Sequence, residues 1–292
     1  MIDFDFHTHS NYSSCATQTP EQLVRKAFSA GIKVLSLTDH DCIDGITECR
    51  NICESYDISL INGVELSASS NKITHSIPNN TGLHILGYRI SLDKKIFNAG
   101  FEVKDEKSRL RNNNLFEYLR KKGYLIEISE EITEQKIKEQ LVKKGYFIDK
   151  KQAKSFLNAK DILENFPKER LSIQQAISLI HTLGGIAIWA HPYNAENHID
   201  LSNNQINELF EYMVSLGIDG LEAFHCSNLP VEKISYLLNL AQKAHIGVSL
   251  GSDRHFCDDR YGTSYFSMEK EIIKMDYDFD LIKQFVVGGN VK

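Results

Sequence analysis

No apolar run in this 292-residue chain approaches the roughly 20 residues that a membrane-spanning helix needs. The sequence enters a strand-like segment at Ile2 and leaves no room for a signal peptide, so the expectation is a cytoplasmic protein. Basic excess is missing too. With 33 Lys and Arg against 39 Asp and Glu, the net charge is −6, and no broad positive field advertises long nucleic acid as a partner. A small anionic substrate stays open, because bound cations can dominate the local potential of an acidic protein. The six cysteines, at positions 15, 42, 49, 53, 226 and 257, form neither a disulfide-like framework nor a paired Cys-x-x-Cys zinc pattern. Reduced thiols are expected, with Cys49 and Cys53, one helical turn apart, packing against the core. Low-complexity segments and long linkers are also lacking. What remains is an ordinary globular composition, 42% hydrophobic and 25% charged, long enough for one large barrel or two modest domains.

Against that plain background the first ten residues stand out. Ile2, Phe4 and Phe6 alternate with polar residues, the period of a half-buried strand, and the strand delivers His7 and His9 from one face. Neutral imidazole is the commonest side-chain metal ligand. The same design recurs along the chain. Val34 to Thr38 runs into Asp39, His40 and Asp41; Ile58 to Val64 runs into Glu65, with a turn-compatible Gly63 before it. Ile186 to Ala190 runs into His191, and Ile246 to Leu250 runs into Gly251, Ser252, Asp253, Arg254 and His255. In Leu83 to Tyr88 the histidine, His84, lies within the strand. Strands separated by helical patterns imply parallel βα units, whose functional residues gather at the C-terminal strand ends. Chance does not readily put His and acidic residues at so many strand ends, and the pattern reads as a metal site.

The organisation predicted is a discontinuous barrel over 1–94 and 171–292, interrupted by a helical insertion over 95–170. Helices are expected at Pro20–Gly31 with Thr19 as cap, Ile173–Leu183, Gln205–Leu216 and Val231–Ala244, and, in the insertion, at Ser108–Lys122, Thr133–Lys144 and Asp149–Leu157. Residues 71–82 read as a polar loop. The insertion contains an echo, Leu119 to Ile126 against Leu141 to Ile148, each reading as a helix ended by a glycine with an apolar residue folding back. The insertion is either a lid over the strand ends or a solvated helical face with no part in substrate binding. As a lid it would offer Arg109, Arg111 and Lys136 to the distal part of a substrate.

The motifs His7-Thr8-His9-Ser10, Thr38-Asp39-His40-Asp41, Gly63-Val64-Glu65-Leu66-Ser67, Gly184-Gly185 through Ala190-His191-Pro192 and Gly251-Ser252-Asp253-Arg254-His255 resemble, in order, those of the PHP (polymerase and histidinol phosphatase) family. The resemblance implies a distorted seven-stranded (β/α) TIM-like barrel holding two or three divalent ions (Mn, Zn or Fe). It implies His7, His9, Glu65 and Asp253 around one ion, Glu65, His84 and His191 around a second, and His40 with His255 at a third. Glu65, Asp253, His191 and Arg254 are then the catalytic candidates; Arg254 either faces substrate phosphate or lies at the surface. Asp39 would orient a ligand, Asp41 would serve a turn, His225 would neighbour the site, and His75, His181, His198 and His245 would be incidental. Family members carry Ser-Asp-Gly after the His-x-His, whereas this chain reads Ser13-Ser14-Cys15, so a carboxylate is missing and Cys15 is a candidate substitute. The length and insertion resemble stand-alone nucleoside 3′,5′-bisphosphate phosphatases and 5′–3′ exonucleases, although their Arg-x-His triplet is replaced here by Glu134-Gln135-Lys136. The expected activity is hydrolysis of a small phosphomonoester, a nucleotide or a short oligonucleotide end, by metal-activated water. Rivals are a histidinol-phosphate-type phosphatase, a silent metal-binding scaffold, and a non-hydrolytic TIM-like enzyme.

Overall fold

The computed structural model describes residues 2–13, 15–70, 76–77, 81–194, 201–225, 229–255 and 277–288. Ser14, His75, His198, Cys226, Cys257 and most of the 71–82 loop lie outside them. The chain divides into two compact units, Met1–Phe97 with Leu171–Lys292, and Asn98–Arg170.

In the first unit, strands and helices alternate: β1 (Phe4–Thr8), α1 (Pro20–Ser29), β2 (Val34–Leu37), α2 (Ile46–Glu54), β3 (Ser59–Ser69) and β4 (Gly82–Tyr88) lead to α3 (Lys94–Ala99). The chain returns through β5 (Leu171–Ser172), α8 (Ile173–Thr182), β6 (Ile186–Trp189), α9 (Asn203–Ser215), β7 (Gly220–His225), α10 (Val231–Ala244), β8 (Gly247–Gly251) and α11 (Phe279–Val287). Capping boxes start three of these helices, Thr19 with Gln22, Ser172 with Gln175 and Ser202 with Gln205, each satisfying backbone donors that the first turn leaves unpaired. Cys49 and Cys53 are buried on α2. Among the described residues no helix is long and apolar enough to cross a membrane.

Seven strands follow one another in the order β1-β2-β3-β4-β6-β7-β8, while the short β5 pairs with β3. The sheet nearly closes on itself where β1 meets the end of β8: the Asp253 N–H donates to the His7 carbonyl at 2.8 Å and the His9 N–H to that of Arg254 at 3.0 Å. Four details correct the sequence reading. All five residues of β1 are buried, because barrel strands are covered on both faces. Glu65 lies inside β3, four residues short of its end. Gly63 makes no turn; a Cβ there would strike Ser36 and Thr38 on the neighbouring β2 segment. Most informative is β4, which runs antiparallel to both β3 and β6. Its N-terminal half therefore lies beside the C-terminal ends of its parallel neighbours. That places His84 with the other strand-end residues although it is only the third residue of its own strand.

The second unit is helical: α4 (Glu102–Lys121), α5 (Glu134–Lys143), α6 (Lys150–Leu157) and α7 (Lys160–Asn165). Leu115, Phe116, Leu119, Ile126, Ile137, Leu141, Ala153, Leu157 and Ile162 form its core. Helix α4 starts six residues before the expected Ser108, because its first turns bury nothing and so write no apolar stripe. The sequence echo marks two equivalent helix ends. Gly123 and Gly145 take φ of +94° and +77°, and the Tyr124 and Tyr146 amides reach back to the Leu119 and Leu141 carbonyls at 3.1 and 3.0 Å.

At the barrel seam, a Cβ on Gly251 would overlap the Cβ and backbone of His7. Because a strand backbone cannot yield as a flexible side chain can, Gly251→Ala should destabilise the protein by roughly 3 kcal/mol, the upper end for overpacking. Urea unfolding would measure it; an unchanged midpoint would show that β8 does not press on β1 as described.

Candidate metal centre

Residues from every principal strand converge at one end of the barrel. His7 and His9 come from the end of β1, Asp39 and His40 follow β2, Glu65 lies in β3 and His84 in β4. His191 follows β6, Glu222 and His225 belong to β7, and Asp253, Arg254 and His255 follow β8. His191 and Asp253 hold left-handed backbone angles, φ +30° and +50°, as does Asp41 at +48°. Such strain in non-glycine residues persists only where surrounding contacts impose it, and it collects at functional sites. Here the His191 N–H is tied to Glu222 Oε2 at 3.0 Å.

Glu65 is the hub. Its Oε2 lies 3.2 Å from His7 Nε2, His9 Nε2 and His40 Nδ1. Its Oε1 lies 2.9 Å from His84 Nδ1 and 3.0 Å from His191 Nε2. Asp253 Oδ1 faces His9 Nε2 at 3.1 Å and His7 Nε2 at 3.4 Å, while its Oδ2 meets His225 Nε2 at 3.2 Å. Three groups can each gather their ligand atoms within 4.8 Å: His7, His9, Glu65 and Asp253; His40, Glu65 and His84; and His9, Cys15, His40 and His255. His191 joins the second group through Glu65 Oε1 and His84, 3.2 Å away.

The donor set fits divalent cations. His7 Nε2, His9 Nε2, His40 Nδ1, Glu65 Oε2 and Asp253 Oδ1 are buried without hydrogen-bond partners, yet they point at one another. Buried polar atoms are normally satisfied, and a cation among them would satisfy these. The electrostatics agree. Burial opposes ionisation of Glu65, but His40, His84 and His7 outweigh it and hold its pKa well below the usual carboxylate range. Burial disfavours the charged form of His7, while Glu222, Glu65 and Asp253 raise its pKa well above normal. His40 is pushed down to about 3, chiefly by burial, against the opposing pull of Glu65. Burial, then the charge of Glu65, pushes the Cys15 thiol up to about 12. The cluster thus carries anionic charge that only protons or metal ions can balance.

Supporting groups orient these ligands. His7 Nδ1 donates to Glu222 at 3.0 Å, so that a cation bound beside Glu65 and Asp253 would take the lone pair of Nε2. The sequence alone does not single out Glu222. The available signal was a carboxylate inside the apolar run from Gly220 to Phe224, a position that demands a partner. Asp39 accepts from Ser10 N, Ser10 Oγ and Ser13 Oγ at 2.6–2.7 Å, and Ser13 Oγ accepts the His40 N–H at 2.8 Å, so Asp39 positions His40 through Ser13. Asp41 accepts the Ser67 N–H at 2.8 Å. Arg254 is buried, so a surface placement does not hold. His181 pairs with Asp219 and His245 ends α10, both away from the cluster.

The proposed cations of the helical unit fare differently. Arg111 is buried and committed to Glu134 Oε2 at 2.7 Å and the Phe166 carbonyl at 3.1 Å, which corrects its reading as a group held out to substrate. Lys136 pairs with Glu130 at 2.8 Å. Arg109 is exposed beside a cavity of about 530 Å³ whose wall also holds Glu102, Asp105, Glu106 and Glu131, a poor setting for a phosphate.

A PHP-domain model matches residues 5–175. The chain belongs to the PHP family. It is a hydrolase of phosphate esters, and its His, Glu and Asp clusters suggest divalent metals. A 5′–3′ exoribonuclease of Haemophilus influenzae is 27% identical over 260 residues, covering 87% of this chain and 90% of the relative. A 3′,5′-nucleoside bisphosphate phosphatase of Chromobacterium violaceum is 25% identical over 264 residues, covering 87% and 88%. Two solved structures share the fold. A Bifidobacterium adolescentis protein assigned as a metal-dependent phosphoesterase superposes with a TM-score of 0.66 at 23% identity over 95% of this chain and 97% of its own. A Chromobacterium violaceum amidohydrolase with bound sulfate and no metal gives 0.65 at 23%, over 87% and 88%.

If Glu222 fixes the His7 tautomer for metal binding, Glu222→Gln should weaken divalent-ion affinity roughly 10–100-fold with the fold intact. Competition against a chromophoric chelator reads this directly. Wild-type affinity in the variant would mean that His7 needs no such partner.

Proposed function

We propose that this PHP protein hydrolyses a phosphate ester of a nucleotide, either a nucleoside 3′,5′-bisphosphate or a short oligonucleotide end. The carrying observation is the two-sided contact of Glu65, one oxygen facing His7, His9 and His40 and the other facing His84 and His191. A carboxylate shared in this way suits two neighbouring ions, one held by His7, His9, Glu65 and Asp253, the other by Glu65, His84 and His191. Mixed imidazole and carboxylate donors suit Mn, Zn or Fe. Bound there, the ions would supply Lewis acidity, activating water as the nucleophile and neutralising phosphoryl charge.

The chain's own groups do the rest. With an ion bound, Glu222 would keep the proton of His7 on Nδ1 and leave Nε2 to the metal. His225 meets Asp253 Oδ2, leaving Oδ1 turned towards His7 and His9. Arg254, buried and flanked by Asp253 and His255, is the candidate guanidinium for substrate phosphate, where a bidentate fork matches two oxygens. Nothing here requires a covalent intermediate on Ser or Cys. The substrate class is supported by the two nucleotide-processing relatives, each aligned over 87% of the chain.

Phosphate release from a panel of nucleoside bisphosphates, short 5′-phosphorylated oligoribonucleotides, histidinol phosphate and an aryl phosphate tests this reading. The nucleotides should be preferred. Glu65→Gln and Asp253→Asn should each lose about a thousandfold in kcat/KM, if a metal contributes roughly 4 kcal/mol of charge stabilisation. Preference for histidinol phosphate would overturn the substrate class, and metal-loaded protein inert on every ester would point to a silent scaffold.

A further inference from the structure

We propose that Cys15 supplies a thiolate to a third cation site with His40 and His255, which makes that end of the cluster selective for a thiophilic dication such as Zn. The inference rests on reading the Glu65 cluster as a metal centre. The ligand atoms of His9, Cys15, His40 and His255 lie within 4.8 Å of one another, a separation that one ion can span. His9 forms a wall of this group, fully buried and with neither ring nitrogen hydrogen-bonded. Its ring stacks 4.3 Å from that of His255 and 4.7 Å from that of His40.

The neighbouring ligands are set for coordination. The Asp253 carbonyl can only accept, so His255 Nδ1, 2.8 Å away, carries the proton and the lone pair rests on Nε2. Loop hydrogen bonds also place the thiol. Ser13 Oγ donates to Asp39 while accepting the His40 N–H, and the Thr17 N–H donates to the His255 carbonyl at 3.2 Å. Gln18 Nε2 then donates to the His9 and Arg254 carbonyls at 2.8 and 3.1 Å. Cys15 is thus carried on a segment stitched to the chain on both sides, with His9, His40 and His255 at the points of attachment.

The chemistry differs from that around Glu65. The other two groups offer nitrogen and oxygen only. In the third, Cys15 is the sole source of an anionic ligand atom. On binding, the thiol proton passes to solvent and a metal–sulfur bond forms, with no change of oxidation state. Two imidazoles and one thiolate form a three-ligand zinc set that keeps a fourth position open, whereas Mn and Mg favour oxygen donors.

The test uses full-length protein stripped of metal and reloaded. Cobalt should produce a sulfur-to-metal charge-transfer band in the near ultraviolet in wild type and none in Cys15→Ser. Zinc stoichiometry should fall by one equivalent in that variant, with Mn stoichiometry unchanged, and X-ray absorption should show a zinc–sulfur distance of about 2.3 Å in wild type only. Cys15→Asp should recover the lost equivalent without the band, which separates loss of a ligand from damage to the loop. A cobalt-loaded wild type without the band, or equal zinc content in wild type and Cys15→Ser, would overturn the proposal and leave the Glu65 centre standing. If Glu65→Gln binds as much metal as wild type, the Glu65 centre itself is wrong.

Discussion

A carboxylate with no exposure to water, Glu65, sits among five imidazoles, and the rest of the site is arranged around that charge. An isolated buried carboxylate is costly, and proteins tolerate one only when it is paired or bound to metal. The imidazoles answer it on both oxygens, Asp253 closes the group from the β8 side, and Glu222 and Asp39 fix ligands from behind. Removing Glu65 would therefore leave several buried nitrogens without a counter-charge. The centre behaves as one electrostatic unit, and its members should not contribute additively.

The barrel serves this unit by bringing strand ends together. Parallel strands deliver His7, His9, His40, His191 and Asp253 at their C-terminal ends, and the reversed β4 delivers His84 from its N-terminal end. Closure between β1 and β8 depends on the absence of a side chain at Gly251, where His7 occupies the space. The left-handed backbones of His191 and Asp253 are local distortions held by hydrogen bonds to Glu222 and His7. Strain of this kind, of order 1–3 kcal/mol per residue, is sustained where it aims a functional group.

Much of this is legible in the sequence, because apolar runs ending in His, Asp or Glu announce both the strand and the side chain it carries to the cluster. Thr19 and the repeated Gly-Tyr likewise marked helix ends through chemistry that acts within a few residues. Long-range facts were harder to read. The reversal of β4 left His84 looking out of place, since strand direction is a property of pairing. Glu222 went unassigned because its partners, His7 and the His191 amide, are 215 and 31 residues away. Gly63 looked like a turn residue because crowding by Ser36 and Thr38 comes from another strand. Arg111 looked available because its pairing with Glu134 depends on how α4 and α5 pack.

The central claim is that Glu65 is shared between two divalent ions and is not merely neutralised by protonated histidines. Anomalous diffraction from crystals of the protein loaded with Mn or Zn, recorded on both sides of the metal edge, tests it most directly. The account predicts two strong peaks at coordination distance from Glu65, one on the side of His7, His9 and Asp253 and one on the side of His84 and His191. Glu65 bonded only to imidazoles, with no anomalous peak within coordination distance of either oxygen, would contradict it.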